Sequence, residues 1–568
     1  MLLPAINNIV EVCAKQQLED VILSPGSRCA PLTIAFNRHE HFNPLSIPDE
    51  RAAAFTALGM SLKNQKASIL VCTSGSAALN YAPAVAEGYF QQIPMIVMTA
   101  DRPPEWIDQL DGQTIRQTNV FGNHVKKSYD LPVDYTHPDA QWQINRIIND
   151  AINLAHQAPA GPVHLNIPFR EPFYPTVSET VTFDENSRTI KQWAVKKDLA
   201  QDQWQLVKEQ FESFDRPLIV VGQAPLNDSL IRIIDEFSKK YHIPVVADGI
   251  SNFQSLENAI GLIDNILMGA DNKANLQPDL LITFGKSVIS KPLKIFLRQH
   301  KAQKHWHIQE EGIPADTFQQ LTDTFNISPT TFFSNMNSGI GTTADINWFE
   351  AWATHEQHQR NILSQHFAKE TAFHELAIVH QILQALPTGS DLHLANSMTV
   401  RNANFVGIPA DSDLEVFCNR GTSGIDGSNS TAIGSAIKSG NITTLITGDL
   451  AFFYDRNGFW NNYLPKNLRV IVINNHCGGI FGVIQGPSQL PELEDYFETH
   501  QPLNAQKLAS DHQMEYACAQ DATTLKNSLE DFYQAGNGPK ILEIKVDKAI
   551  NKAAFSAFKT LIKTSPCN

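Results

Sequence analysis

Short apolar runs ending in turn-forming residues alternate with stretches of helix length along the whole chain. Asp20–Ser24, Ala67–Thr73, Pro94–Thr99 and Gly161–Pro168 read as strands of a first block. Pro217–Gly222, Ile243–Ala247, Asp279–Phe284 and His305–Ile308 read as strands of a second. Leu392–Leu394, Glu415–Cys418, Leu445–Thr447, Val470–Ile473 and Ile541–Ile544 read as strands of a third. Between two of the first set, Ser74-Gly75-Ser76 leads into an alanine-rich segment that predicts a helix through Gln91. Strands separated by helices pair in parallel, because a parallel return needs a crossover. The expected fold class is α/β, with three doubly wound parallel-sheet domains at 1–180, 195–340 and 365–568. Residues 176–200 show no period and read as a linker, and the Gly-, Ser-, Asn- and Thr-rich stretch 335–343 reads as a second break.

Composition narrows the partners. At 568 residues the chain is too long for one core, and 42% hydrophobic with 18% charged residues fits a soluble globular enzyme. A net charge of −15 argues against nucleic acid or an anionic membrane surface. It also makes any cluster of arginines informative. No apolar run approaches the roughly 20 residues of a membrane span. The first residues lack a basic stretch of the secretory kind. The seven cysteines form no Cys-x-x-Cys pair, as expected of reduced thiols in the cytoplasm.

Chemistry concentrates where predicted strands end. Gly448-Asp449 closes one strand and Asn474-Asn475 closes the next, with Asp449 and Asn475 26 residues apart. A carboxylate and an amide carbonyl at neighbouring strand ends suit a hard divalent cation, Mg²⁺ above all, holding a diphosphate. The arrangement resembles the diphosphate-binding motif of thiamine-diphosphate enzymes. Glu50 begins a helix; alone it reads as a favourable dipole interaction. Beside thiamine it reads as the carboxyl that hydrogen-bonds the pyrimidine N1′ and promotes the imino tautomer, its burial helping it to share a proton. In Asn419–Gly427 the glycines let a flat ring approach the backbone, and Ile425 is either the wedge that bends thiamine or an ordinary loop aliphatic. Arg28, Arg102, Arg401 and Arg420 sit at strand ends or adjoining loops and read as carboxylate binders, while Arg116 is equally a surface residue.

Further ordered motifs extend the resemblance over the first and third blocks. They include Ser24-Pro-Gly-Ser-Arg28, Asp49-Glu-Arg51, Thr73-Ser-Gly-Ser-Ala77, Thr99-Ala-Asp-Arg-Pro-Pro-Glu105, Gln113-Thr-Ile-Arg-Gln117, Asn396-Ser-Met-Thr-Val-Arg401, Asn419-Arg-Gly-Thr-Ser-Gly-Ile-Asp-Gly427, Gly448–Asp455 and Asn474–Phe481. The chain thus resembles the thiamine-diphosphate decarboxylase/synthase superfamily. Within it, the chain is similar to the 2-succinyl-5-enolpyruvyl-6-hydroxy-3-cyclohexene-1-carboxylate synthases of menaquinone biosynthesis.

That resemblance implies a pyrimidine-binding, a central and a diphosphate-binding domain. It implies decarboxylation of 2-oxoglutarate and 1,4-addition of the succinyl carbanion to isochorismate. The implied cofactors are thiamine diphosphate and Mg²⁺ or Mn²⁺. The implied assembly is a homodimer with active sites at the interface, or a dimer of dimers. Among residues, it implies Glu50 as N1′ partner, and Asp449, Asn475 and the Cys477 carbonyl as metal ligands. Thr73, Ser423, Gly424, Ile425, Gly448, Leu450, Ile480 and Phe481 would line the cofactor. Ser27, Arg28, Arg102, Gln113, Lys291, Ser397, Arg401 and Arg420 would contact substrate, with Arg28, Ser397, Arg401 and Arg420 also counted as catalytic. Three positions depart from the family pattern: Gly112 stands for Asn, Pro292 for Arg and Cys477 for Gly.

An acetolactate-synthase-type enzyme is the nearest alternative, but it handles smaller, less charged substrates than the arginine set suggests. A non-catalytic nucleotide-binding protein predicts a Gly-x-Gly-x-x-Gly or a P-loop, and neither follows a strand here.

Overall fold

A computed structural model describes residues 4–171, 173–175, 179–271, 273–341, 343–484 and 486–567. Its core is three six-stranded, all-parallel sheets. The first holds β1 (Val21–Leu23), β2 (Leu45–Ser46), β3 (Ser68–Cys72), β4 (Met95–Asp101), β5 (Ser128–Asp130) and β6 (Pro162–Pro168), in the order β2-β1-β3-β4-β6-β5. The second holds β7 (Pro217–Val221), β8 (Val245–Ala247), β9 (Ala259–Ile260), β10 (Leu280–Phe284), β11 (Lys304–Ile308) and β12 (Asp323–Phe325), ordered β12-β11-β10-β7-β8-β9. The third holds β13 (Asp391–Leu394), β14 (Glu415–Phe417), β15 (Thr443–Gly448), β16 (Leu468–Asn474), β17 (Glu515–Ala519) and β18 (Lys540–Lys545), ordered β14-β13-β15-β16-β18-β17.

Central strands such as β3, β4, β7, β10 and β16 are buried at every position. Helices cover both faces of such sheets, so a continuous apolar run is the required sequence. The five strands that the apolar pattern did not reveal are β2, β5, β9, β12 and β17, and all five lie at sheet edges.

Two connections differ from the sequence expectation. Within the expected linker, residues 176–178 lie outside the described residues, and 179–200 are irregular but packed down. The helices Pro4–Lys15 and Pro138–His156 hold that segment: Asn7 donates to the Thr182 carbonyl at 2.9 Å and Lys15 to the Ser187 carbonyl at 3.0 Å. Of the expected break at 335–343, residue 342 lies outside the described residues, and residues 335–336 end the helix Pro329–Met336. Beyond it a 24-residue helix, Ile346–Lys369, joins the second and third blocks. Trp348 and Trp352 pack in the second core and Leu363 in the third, so the helix belongs to both.

The first and third blocks meet directly through the helices Glu50–Asn64 and Ser428–Lys438. Their backbones approach so closely that a Cβ on Gly434 would lie 1.9 Å from the Thr56 carbonyl oxygen, and one on Gly59 2.0 Å from that of Thr431. Glycine is therefore obligatory at both points. Lys63 closes the far end of this contact, reaching Asp391 at 2.9 Å and Glu415 at 2.6 Å.

Candidate active site

The C-terminal ends of β13, β14, β15 and β16 lie side by side and deliver Ser397, Arg420, Asp449 and Asn475 in turn. Such an edge is where open α/β sheets bind ligands. Asn396, buried, organises one half. Its Nδ2 donates to the carbonyls of Asn419 and Gly424 at 2.7 Å each, and its Oδ1 accepts from Arg420 Nη1 at 2.9 Å. Arg401, on the helix Met398–Val406, donates to the Ser397 carbonyl at 2.6 Å. Ser397 and Ser423 hold positive φ of 77° and 63°, conformations that a non-glycine residue keeps only where the surroundings enforce them. Ile425 is half-buried beside them.

Asp449 organises the other half. It opens the helix Asp449–Tyr454 and is only 2% exposed. Gln501 donates to its Oδ2 at 2.6 Å and reaches Asn474 Oδ1 at 3.2 Å. Burial pushes the Asp449 carboxyl up to about 6, and no lysine or arginine pairs with it among the described residues. A buried carboxylate without a cation is costly, so this chemistry suits an incoming one. Asn475 accepts from the Cys477 N–H at 3.0 Å through Oδ1 and donates to Glu375 Oε1 at 2.7 Å through Nδ2. The Cys477 thiol is buried and pushed up to about 12, while its carbonyl takes the Gly479 N–H at 3.0 Å. A Cβ on Gly448 would meet nothing within 4 Å, so the strand end has open space beside it. Leu450, Ile480 and Phe481 are half-buried nearby in sequence, the last two opening the short helix Ile480–Val483. Among the described residues no three His, Cys, Asp or Glu side chains converge on a metal position. An ion here would therefore use carboxylate, amide and main-chain oxygens together, the hard donor set of Mg²⁺.

The second block reaches this edge through Asp264. That buried carboxylate accepts from Ser290 Oγ, the cap of the helix Lys291–Gln299, and from Asn404 Nδ2 at 3.0 Å, one turn beyond Arg401. Lys291 is exposed at the first position of that helix. Pro292 occupies its first turn, where a missing N–H costs nothing, so the helix tolerates the departure there. Lys294, one turn on, is half-buried; desolvation and the nearby Arg420 lower its pKa, with Arg401 also among its neighbours. Arg401 is lowered likewise by burial and then Arg420. The Nε of Arg420 is buried without a partner. Three cations thus converge without a salt bridge among the described residues.

The first block presents a second set. Arg28 is buried, donating to the Phe169 carbonyl at 2.8 Å with its guanidinium 4.4 Å from the Phe173 ring centroid, and Ser27 is exposed before it. Thr73 is buried with an unpartnered Oγ1, and a Cβ on Gly26 would come within 2.4 Å of it. Gly75, at φ 89°, backs onto Gln113, where a Cβ would lie 3.2 Å from the carbonyl oxygen. Arg102 donates to the Gly112 carbonyl at 2.7 Å and lies 3.2 Å from Asp111. Gly112 offers only its backbone, so this contact is available despite the departure from Asn. Arg116 pairs with Asp108 at 3.1 Å on the surface, its side chain 82% exposed, which favours the surface reading.

Glu50 differs from the expectation. It stands at the first position of its helix, capped by Asp49, but it is half-exposed rather than buried and accepts only a 3.2 Å bond from Asn80 among the described residues. No hydrogen bond or ion pair among the described residues joins the first-block candidates to Asp449, Asn475 or Arg401. Three residues at the site escaped the sequence: Glu375 and Gln501, which no spacing marks, and Lys294, which a helical step of three from Lys291 could have found.

Comparison with known proteins identifies the family. The profile described as "Thiamine pyrophosphate enzyme, N-terminal TPP binding domain" matches residues 5–125. "Middle domain of thiamine pyrophosphate" matches 182–394. A protein of Cytophaga hutchinsonii named 2-succinyl-5-enolpyruvyl-6-hydroxy-3-cyclohexene-1-carboxylate synthase is 44% identical over 563 residues, 99% of each chain. Proteins of the same name are 39% identical in Flavobacterium johnsoniae, over 94% of this chain and 95% of theirs, and 34% identical in Porphyromonas gingivalis, over 98% and 97%. With a thiamine-pyrophosphate domain in its first block and such relatives along its whole length, this chain belongs to the 2-succinyl-5-enolpyruvyl-6-hydroxy-3-cyclohexene-1-carboxylate synthase family of thiamine-pyrophosphate-dependent transferases.

Proposed function

We propose that the protein decarboxylates 2-oxoglutarate and adds the remaining succinyl unit, in a 1,4 sense, to isochorismate. The product is 2-succinyl-5-enolpyruvyl-6-hydroxy-3-cyclohexene-1-carboxylate of menaquinone biosynthesis. The observation that carries this reading is the set of cations Arg401, Arg420 and Lys294, beside the strand ends that carry Asp449 and Asn475. They act on one another and make no salt bridge among the described residues, Asp264 and Asp248 acting on them only at longer range. Both substrates are carboxylate-rich, and a fork of guanidinium donors recognises a carboxylate with two parallel bonds.

The residues divide the work. Bound thiamine diphosphate supplies the electron sink that makes loss of CO₂ feasible. Asp449 Oδ, Asn475 Oδ1 and the Cys477 carbonyl would hold Mg²⁺ or Mn²⁺ against the diphosphate. Ser423, Gly424, Gly448, Leu450, Ile480 and Phe481 would line the cofactor, Ile425 would set its bend, and Thr73 would cover the pyrimidine. Glu50 would exchange a proton with N1′. Arg401, Arg420, Ser397 and Lys291 would orient substrate from the third and second blocks. Ser27, Arg28, Arg102 and Gln113 would do so from the first.

Half-exposure of Glu50 supports a homodimer in which a second copy covers it and supplies its Asp449 to the same cofactor, in the isologous manner of C₂ pairs. The division into a pyrimidine-binding unit 1–180, a central unit 195–340 and a diphosphate-binding unit 365–568 belongs to the same proposal.

Release of CO₂ with Mg²⁺ and thiamine diphosphate present tests the reading. 2-Oxoglutarate should be strongly preferred to pyruvate, and the six-membered-ring product should form only when isochorismate is added. Preference for pyruvate would instead place the protein with acetolactate-type enzymes.

A further inference from the structure

Glu87 lies on the helix Ala82–Phe90 of the first block, 1% exposed, and no lysine or arginine pairs with it among the described residues. Its carboxylate reaches into the third block. Oε1 accepts the Gly421 N–H at 2.7 Å; Oε2 accepts the Thr422 N–H and the Thr422 hydroxyl, each at 2.6 Å. Gln91, one turn along, donates to Glu87 Oε1 at 2.5 Å and to the Cys418 carbonyl at 3.1 Å. Gln223 of the second block donates to that same carbonyl at 2.8 Å, and Lys286 of the second block donates to the Gln91 carbonyl. All three blocks therefore meet on the segment 418–422. The approach also fixes a residue type: a Cβ on Gly421 would lie 2.6 Å from the Glu87 carbonyl oxygen.

Arg420 sits between these anchors. Asn396 holds its guanidinium and, through Asn419 and Gly424, the inner sides of its loop. Glu87 grips the two N–H groups that follow Arg420 on its outer side. A carboxylate accepting three donors from the loop and a fourth from Gln91 is a strong, directional clamp, because charge-assisted bonds are about twice as strong as neutral ones. Neither alanine-like packing nor a neutral amide reproduces it: an amide at 87 would turn an N–H₂ toward a backbone N–H.

We propose that Glu87 is a positioning residue that fixes the Arg420 loop of its own chain for carboxylate recognition. The inference rests on the substrate reading above. It gives the first block a second task, distinct from the one proposed for Glu50. If Glu50 serves the site built on a partner's third block, each first block touches both sites of the dimer, one through Glu50 and the other through Glu87.

The test is Glu87→Gln in the full-length, cofactor-loaded enzyme. The specificity constant for 2-oxoglutarate or isochorismate should fall on the order of tenfold to a hundredfold, chiefly through KM, while calorimetric thiamine-diphosphate affinity stays within about threefold. In an Arg420→Ala background the same change should add less than about threefold, because both lesions act through one guanidinium. Thr422→Val, which removes only the hydroxyl limb, should give a smaller KM effect of the same kind and guards against a Glu87→Gln chain that does not fold. Full multiplication of the Glu87 and Arg420 effects would overturn the proposal. So would unchanged KM values, or a melting temperature and cofactor affinity that fall in step with activity. A wild-type enzyme inactive on 2-oxoglutarate would instead refute the substrate reading, independently of Glu87.

Discussion

The first and third sheets have the same strand order: each runs second-first-third-fourth-sixth-fifth in its own chain sequence. The second sheet does not share it; its order, third-second-first-fourth-fifth-sixth, is that of the dinucleotide-binding folds. Equal topology in blocks one and three gives unequal edges. The third presents an acid, Asp449, that is buried and hydrogen-bonded by Gln501 of its own chain. The first presents an acid, Glu50, that is half-open to solvent with one weak partner. Topology decides where a ligand edge lies; side chains decide what it binds, and burial shows which edge is complete within one chain.

The strongest way to break this contrast is at the complete edge. Asp449→Ala should abolish Mg²⁺-dependent thiamine-diphosphate binding, because the carboxylate that balances the ion is gone. Undiminished, metal-dependent heats of binding in calorimetry would contradict the assignment. At the open edge, Glu50→Gln should leave cofactor affinity nearly intact and slow hydrogen–deuterium exchange at the thiamine C2 by roughly 10²–10⁴-fold, the span of general acid–base effects. NMR exchange at the wild-type rate would reduce Glu50 to a helix-start residue.

These edges were legible in the sequence to different depths. Buried strands announce themselves because a sheet covered on both faces demands unbroken apolar runs, as in Leu468–Asn474. Edge strands such as Leu45–Ser46 and Ser128–Asp130 are short and partly exposed, so they carry no such signature. The helix Ile346–Lys369 was missed because two of the five buried positions on its inward face, Glu356 and Gln359, are polar and interrupt the apolar stripe. Ligand-edge acids and arginines could be read from turn-rich motifs, whereas Glu375 and Gln501 act from distant segments that only folding brings to Asn475 and Asp449. The shared topology of blocks one and three left no trace in the letters, since strand order depends on connections rather than on residue identity.

Smaller effects sharpen the comparison. Arg401→Ala and Arg420→Ala should each cost about 1.5–3 kcal/mol in the specificity constant for one or both dicarboxylates, with cofactor binding little changed. Steady-state kinetics unchanged for both substrates in both variants would remove these arginines from the pocket. Lys294→Met should cost less, roughly 0.5–1 kcal/mol, because a half-exposed ammonium is partly screened by water. Lys294→Arg should restore most of it, and a loss that Arg does not repair would mark Lys294 as a packing residue.

In the proposed dimer, Glu50 and Asp449, on unequal edges of different blocks, serve one cofactor across two chains. Mixing inactive Glu50→Gln chains with inactive Asp449→Ala chains tests it most directly, with chain exchange confirmed by mass spectrometry. Each mixed dimer should regain one intact site, so activity returns. Exchanged chains that stay inactive would show that each site is built within a single chain, and the account would fail.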